Sequence, residues 1–223
     1  MAKRIRIAVL ISGEVTNLQA LMDACESGDL TSCTIVSVVS NHKNARGLLK
    51  AEEASIPTFY HGIVDYKKAY ENMELAKYKY DQDLASVALS EDPDLIVCAG
   101  FTRDLGPSFI DSIAAFTIPA INLHPSLPPA DLIENNDAMS DAHRRLKEQG
   151  ISSTGAMVHE INKRPGRGRP FSWEMIEFED ARDERVETLR ERIQRVERKV
   201  IVEGTRNAIE FYGLPKTSIS PPF

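Results

Sequence analysis

The chain predicts an α/β fold: a Rossmann-like, mostly parallel sheet with helices on both faces, an antiparallel hairpin and a long C-terminal helix. Three observations carry this. Near-continuous apolar runs, Ile5 to Ile11 first among them, read as strands buried on both faces. Segments with helical periodicity alternate with these runs as far as Leu123, which implies parallel strands joined by right-handed crossovers. Beyond that point the pattern changes to two successive strands and one long amphipathic stretch.

Each element follows from its residues. Ile5 to Ile11 is a strand that meets a loop at Ser12-Gly13. Asn17 to Cys25 carries Leu18, Leu21 and Met22 on one helical face. Thr34 to Val39 is β-branched and reads as a strand. Asn44 to Ala54 is helical and is stopped by Ile56-Pro57. Thr58 to Tyr60 is a short strand, and Tyr66 to Leu89 a long helical stretch open to an interruption. Leu95 to Ala99 is a strand closed by Gly100. Pro107 to Ala114 is a helix and Pro119 to Leu123 a strand. Asp137 to Gln149 reads as a helix. Thr154 to Ile161 and Phe171 to Phe178 form a hairpin around the Arg-, Gly- and Pro-rich segment Asn162 to Pro170. Asp183 to Tyr212 is a long helix with many Glu/Arg pairs near i,i+4 spacing, ended by Gly213-Leu214-Pro215. No repeat and no linker divides residues 1–212, which read as one domain; residues 213–223 read as a loose tail.

Composition narrows the function classes. The 223 residues are 42% hydrophobic and 27% charged, which excludes disorder, collagen and coiled coil as the main architecture. No apolar run approaches the roughly 20 residues of a membrane-spanning helix, and the N-terminus lacks a signal-peptide pattern. Three cysteines, Cys25, Cys33 and Cys98, fit neither a disulfide scaffold nor a metal site and suit a reducing cytosol. A net charge of -6 argues against broad nucleic-acid binding.

Three segments carry candidate chemistry. Ser12-Gly13-Glu14-Val15-Thr16-Asn17 joins the first strand to the first helix. It is either a plain capped turn, with Thr16 or Asn17 capping, or a seat for an anion at the helix N-terminus. It lacks the G-x-G-x-x-G fingerprint of a nicotinamide dinucleotide site. In Asn122-Leu123-His124-Pro125 the two polar residues are two apart on a strand and so project together at its carboxyl end, where open α/β sheets bind ligands. An amide beside an imidazole suits oxyanion stabilisation and proton transfer. The segment from Lys163 to Arg169 places four cations in seven residues; a solvated hairpin tip is favoured over a polyanion site. His159 reads as a structural residue of the hairpin, Trp173 as packing, and His42, His61 and His143 as residues without evident partners.

Taken together these segments resemble the phosphoribosylglycinamide formyltransferases, the folate-dependent enzymes of purine synthesis, and most of all their fungal single-domain form. The resemblance covers about residues 4 to 212. It rests on Ile7 to Gly13, Thr16 to Leu21, Val39-Ser40-Asn41, Ile56-Pro57-Thr58 and Pro93 to Phe101. It continues through Ile121 to Pro128, Thr154 to His159 and Ile201 to Thr205. It implies a formyltransferase fold and an enzyme that moves a formyl group from 10-formyltetrahydrofolate to the amine of glycinamide ribonucleotide, without a metal. By position it implies that Val15, Thr16 and Asn17 meet the ribonucleotide phosphate and that Glu197 contacts the ribonucleotide. Lys77 and the loop Phe101 to Leu105, with Thr102, Arg103 and Asp104, would lie by the folate. Asn122 and His124 would be catalytic. The implied partners are these small molecules, with no nucleic acid and no membrane, in a cytoplasmic monomer or homodimer.

The resemblance also shows departures. The family's hairpin aspartate, which raises the histidine pKa, falls at Gly166, and no carboxylate occurs from Ile161 to Trp173. The family glycine of the first loop is Val15, which resists positive φ, and Glu14 adds a negative charge beside the expected anion. Thr102 and Asp104 replace apolar residues, and Pro129 to Asn136 differs from the usual Gly- and Ala-rich loop. These changes imply reduced activity. The alternative is a catalytically dead or repurposed homologue, natural or redesigned, that acts as a binding protein. A formyltetrahydrofolate hydrolase or transfer-RNA formyltransferase is a third reading, disfavoured because the extra domains of those enzymes are not seen.

Overall fold

A computed structural model describes residues 3–13, 15–127, 143–144, 148, 152–163, 168–179 and 185–215. In chain order the elements begin β1 (Ile5–Ile11), α1 (Thr16–Ser27), β2 (Cys33–Ser40), α2 (Arg46–Glu53), β3 (Thr58–Tyr60) and α3 (Val64–Ala69). They continue with α4 (Met73–Leu89), β4 (Leu95–Cys98), α5 (Pro107–Ala115) and β5 (Ala120–His124). The last are β6 (Ser153–Glu160), β7 (Pro170–Glu177) and α6 (Val186–Tyr212).

The strands form a seven-stranded sheet in the order β3-β2-β1-β4-β5-β6-β7. The first five run parallel, while β5-β6 and β6-β7 are antiparallel. The alternation within β1 explains its continuous apolar run. Ile5, Ile7, Val9 and Ile11 face a layer built from α1, α2 and α6. Ala8 and Leu10 face the layer of α4 and α5, with Tyr80, Leu84, Phe109 and Ile113. Both faces are covered, so neither can carry polar residues. α6 crosses the sheet with Leu189, Ile193, Val196 and Val200 buried, the spacing of one helical face. Gly204 makes its closest approach possible: a Cβ there would lie 2.4 Å from Val158 Cβ.

The helical stretch from Tyr66 to Leu89 is two helices. Asn72 starts the second, its side-chain oxygen accepting from the backbone N–H of Glu74 at 2.8 Å and of Leu75 at 3.1 Å. The helix expected over Asp137 to Gln149 and the tail beyond Pro215 fall largely or wholly outside the described residues. So do Glu14, the 129–136 loop and Gly166. No helix among the described residues is long and apolar enough to cross a membrane.

Candidate active site

The sheet order places a topological switch between β1 and β4, since the chain proceeds outward to β2 and β3 on one side and to β5 on the other. Loops leaving neighbouring strands diverge there and open a crevice at their carboxyl ends. Ser12, just after β1, and Thr102, after β4, bridge it. The Thr102 backbone N–H and hydroxyl donate to Ser12 Oγ at 2.8 and 2.9 Å.

On the α1/α2/α6 side the crevice widens into a cavity of about 710 Å³, walled by Ser12, Gly13, Val15 and Thr16 of the first loop, by residues 42 to 46, and by Gln194 of α6. Val15 occupies the N-cap position with φ -91° and no side-chain cap. The positive φ that would exclude a β-branched residue is therefore not used. Neither Thr16 nor Asn17 caps α1, contrary to the expectation for a capped turn. Both lie inside the first turn, where Thr16 Oγ1 and Asn17 Oδ1 are buried and have no hydrogen-bond partner among the described residues. Asn17 is buried, and its amide donates to the Glu197 carboxylate at 3.2 Å. Lys43 and Arg46, at the carboxyl end of β2 and the start of α2, bring cationic groups to the same cavity, beside the imidazole of His42. The sequence alone marks His42 only as a histidine without an evident partner and does not single out Lys43 or Arg46, although ligand sites at the carboxyl ends of parallel strands point to this segment as directly as to the first loop.

The loop between β4 and α5 is anchored at both ends. Besides Thr102, its far end is held by Asp81 of α4, whose Oδ2 accepts from the Gly106 N–H at 3.1 Å. A Cβ on Gly106 would come within 2.2 Å of that oxygen, so only glycine allows the contact. Burial raises the Asp81 pKa, and the nearby charges of Lys77 and Arg103 oppose that rise, as does the Gly106 N–H. Arg103 lies over the Tyr80 ring at 4.8 Å. Lys77 thus stands beside this loop, Leu105 packs into the α4/α5 layer, and Asp104 is exposed.

Asn122 and His124 end β5, on the face that carries Ala120 toward α4 and α5. The antiparallel register sets His159 of β6 directly opposite Asn122. His159 sits on the hairpin as expected, with its ring beside Asn122. Its Nδ1 lies 2.9 Å from the Glu160 carbonyl oxygen, so that nitrogen carries the proton. Nε2 is then left to accept from the Asn122 amide at 3.5 Å. The rings of His124 and His159 meet edge-on, centroids 6.2 Å apart. Burial and the neighbouring His159 push the His124 pKa down to about 4, against an opposing pull from Asp104. Burial also lowers His159.

Other expectations are corrected. His61 is buried, with Nε2 3.1 Å from the Tyr80 carbonyl oxygen and its ring against Tyr66 and Tyr80. Trp173 does not pack inside: it is 57% exposed among the described residues. Lys163, exposed as expected for a solvated hairpin, pairs with Asp111 at 2.5 Å. Among the described residues no cluster of His, Cys, Asp or Glu could hold a metal ion.

Residues 5–205 match the formyl transferase family model. The chain is 35% identical over 204 residues to the phosphoribosylglycinamide formyltransferase of Schizosaccharomyces pombe, covering 91% of this chain and 96% of that one. It belongs to this family. A second such formyltransferase, from Saccharomyces cerevisiae, is 34% identical over 212 residues, covering 92% and 97%. The solved glycinamide ribonucleotide transformylase 1 of Symbiobacterium toebii superposes with a TM-score of 0.76 at 29% identity, covering 95% of this chain and 90% of that one. The formyltransferase fold expected from the residues is thus the fold observed.

Proposed function

We propose that the chain transfers the formyl group of 10-formyltetrahydrofolate to the amine of glycinamide ribonucleotide. The observation that carries this reading is the Asn122–His124–His159 group, where β6 runs antiparallel past the carboxyl end of β5, together with the crevice between the first loop and the loop after β4.

The 710 Å³ cavity suits the ribonucleotide. Its phosphate would meet the N-terminus of α1, where Val15, Thr16 and Asn17 present backbone N–H groups. Glu197 would accept from ribose hydroxyls. The folate would lie along Thr102 to Leu105, with Lys77 and Arg103 as the nearby cations. Buried Arg103 Nε has no partner among the described residues, which fits a loop built to receive a polar ligand. The folate supplies the formyl carbon.

The ribonucleotide amine forms the new C–N bond to that carbon, and the bond from the carbon to the folate nitrogen breaks. Asn122 gives one amide N–H to His159 and keeps the other for the charge developing on the formyl oxygen. His124, neutral at pH 7 because burial and His159 disfavour its cation, accepts the amine proton and returns it to the departing nitrogen. The rate is expected to be below that of relatives that carry an aspartate at the Gly166 position.

The test is to mix both substrates with the protein and follow the folate absorbance, beside His124→Asn and Gly166→Asp. Turnover that is abolished in His124→Asn and raised in Gly166→Asp supports the reading. Saturable binding of both ligands without turnover in any variant would overturn it in favour of a binding protein.

A further inference from the structure

We propose that the Ser12–Thr102 link is a positioning contact that couples the two ligand loops: a ligand in the cavity and a ligand on the loop after β4 strengthen each other's binding through it. Which ligands these are rests on the formyl-transfer reading; the link between the loops does not.

The two loops are anchored separately and joined here. The first is tied to α6 through Asn17 and Glu197. The second is tied to α4 through Gly106 and Asp81, and its Arg103 lies over Tyr80. Between them the β1–β4 pairing carries on past the ends of both strands. The Ala99 N–H donates to the Leu10 carbonyl at 2.8 Å and the Ser12 N–H to the Gly100 carbonyl at 3.2 Å. The two Thr102 bonds to Ser12 Oγ, at 2.8 and 2.9 Å, complete the run. Loops that leave neighbouring strands at a topological switch part from each other; here they stay bonded at the base of the crevice.

Ser12 gives the link its direction. A hydroxyl has one proton to donate and two acceptor positions. Thr102 fills both acceptor positions of Ser12 Oγ, so the Ser12 proton points elsewhere. Ser12 is buried and lines the cavity. Its hydroxyl is thereby set as a donor to an acceptor oxygen held in the cavity. Thr102 forms the exposed end of the link. A ligand on its loop removes water from around these bonds. Hydrogen bonds strengthen in a lower dielectric, and successive ones polarise one another. A Ser12 donor polarised in this way holds the cavity's ligand more tightly, and by linkage the reverse effect is equal. The hydroxyl at Thr102 is itself a departure, since the family resemblance implies an apolar side chain there. An apolar residue would keep the backbone bond and lose the hydroxyl bond.

The experiment uses the full chain with glycinamide ribonucleotide and tetrahydrofolate, which lacks the formyl group and so gives a ternary complex that cannot react. Calorimetric titration yields the tetrahydrofolate Kd without and with saturating ribonucleotide, and the ratio of the two measures the coupling. The parent is expected to show a ratio of about three to ten, the worth of one hydrogen bond. In Thr102→Val the ratio should fall by half or more, and in Ser12→Ala it should fall close to one. The ratio divides out any change in the affinity for either ligand alone. A merely structural contact would lower the urea midpoint and leave the ratio in place. A parent ratio of one, or a ratio kept in either variant, overturns the coupling. A second measurement needs neither substrate. Inorganic phosphate is titrated into isotope-labelled protein while the amide resonances of Thr16 and Thr102 are followed by NMR. Both are expected to move in the parent, and that of Thr16 alone in Ser12→Ala. A Thr102 amide that ignores phosphate in the parent, or still follows it in Ser12→Ala, overturns the link. If neither substrate binds, the formyl-transfer reading fails and the phosphate titration alone decides the link.

Discussion

Asn17 and Glu197 are 180 residues apart in the chain and 3.2 Å apart in the structure, the amide of one donating to the carboxylate of the other. The bond ties the first turn of α1 to the middle of α6. It also orients two side chains that the family resemblance places against one substrate.

Removing the carboxylate should therefore act on both stability and binding. Glu197→Ala strips a partner from a buried amide and is expected to cost about 1–3 kcal/mol, the range for unsatisfying a buried polar group. Glu197→Gln keeps an acceptor and should cost less than half as much. Urea unfolding measures both, and the ribonucleotide KM should rise in Glu197→Ala more than in Glu197→Gln. Equal stability of all three proteins would show the bond to be incidental.

The loop after β4 depends on the absence of a side chain at Gly106. In Gly106→Ala the added carbon would meet Asp81 Oδ2 at 2.2 Å and push the carboxylate away from the backbone it holds. The expected loss is about 1–3 kcal/mol, as for overpacking elsewhere, together with a higher folate KM. A variant as stable as the parent would mean that the anchor yields freely.

Acid should destabilise the fold over a defined window. The His124 pKa is about 4 in the folded chain against 6.5 ordinarily, so above pH 6.5 both folded and unfolded forms are neutral there. Between 6.5 and 4 the unfolded chain binds more protons, and stability falls as pH falls. At pH 5 this one residue accounts for a loss on the order of 2 kcal/mol. His61 and His159, both lowered by burial, act in the same direction. Urea midpoints at pH 7 and pH 5 should differ accordingly, and His124→Asn should flatten the difference.

The thiols should be inert in the native state. Burial pushes Cys25 up to about 11 and Cys33 and Cys98 up to about 12, which removes the reactive thiolate at pH 8. A chromogenic disulfide reagent at pH 8 should find almost no reactive thiol in the folded protein and all three in denaturant. Rapid labelling of native Cys98 would contradict its burial.

What was legible in the residues was whatever is written locally. The Ile5–Ile11 run and the spacing of Leu189, Ile193, Val196 and Val200 record faces that each segment must bury whatever its neighbours are. Thr58–Tyr60 likewise follows from short-range pattern, and β5, expected over Pro119 to Leu123, runs one residue further to His124. The Asn122 and His124 pair was visible for the same reason, since a period of two is enough to place them on one side of a strand.

The tertiary structure decided the rest. His159 joins Asn122 because β6 pairs antiparallel with β5 in one register, which no local period encodes. Val15 takes φ -91°, a backbone conformation its residue type alone did not reveal. Asp81 becomes an anchor for the loop after β4 because α4 packs beside that loop in the folded sheet, which its own segment does not record. Periodicity reports the burial each segment requires; the charges and donors that meet at a site depend on which segments the folded sheet makes neighbours.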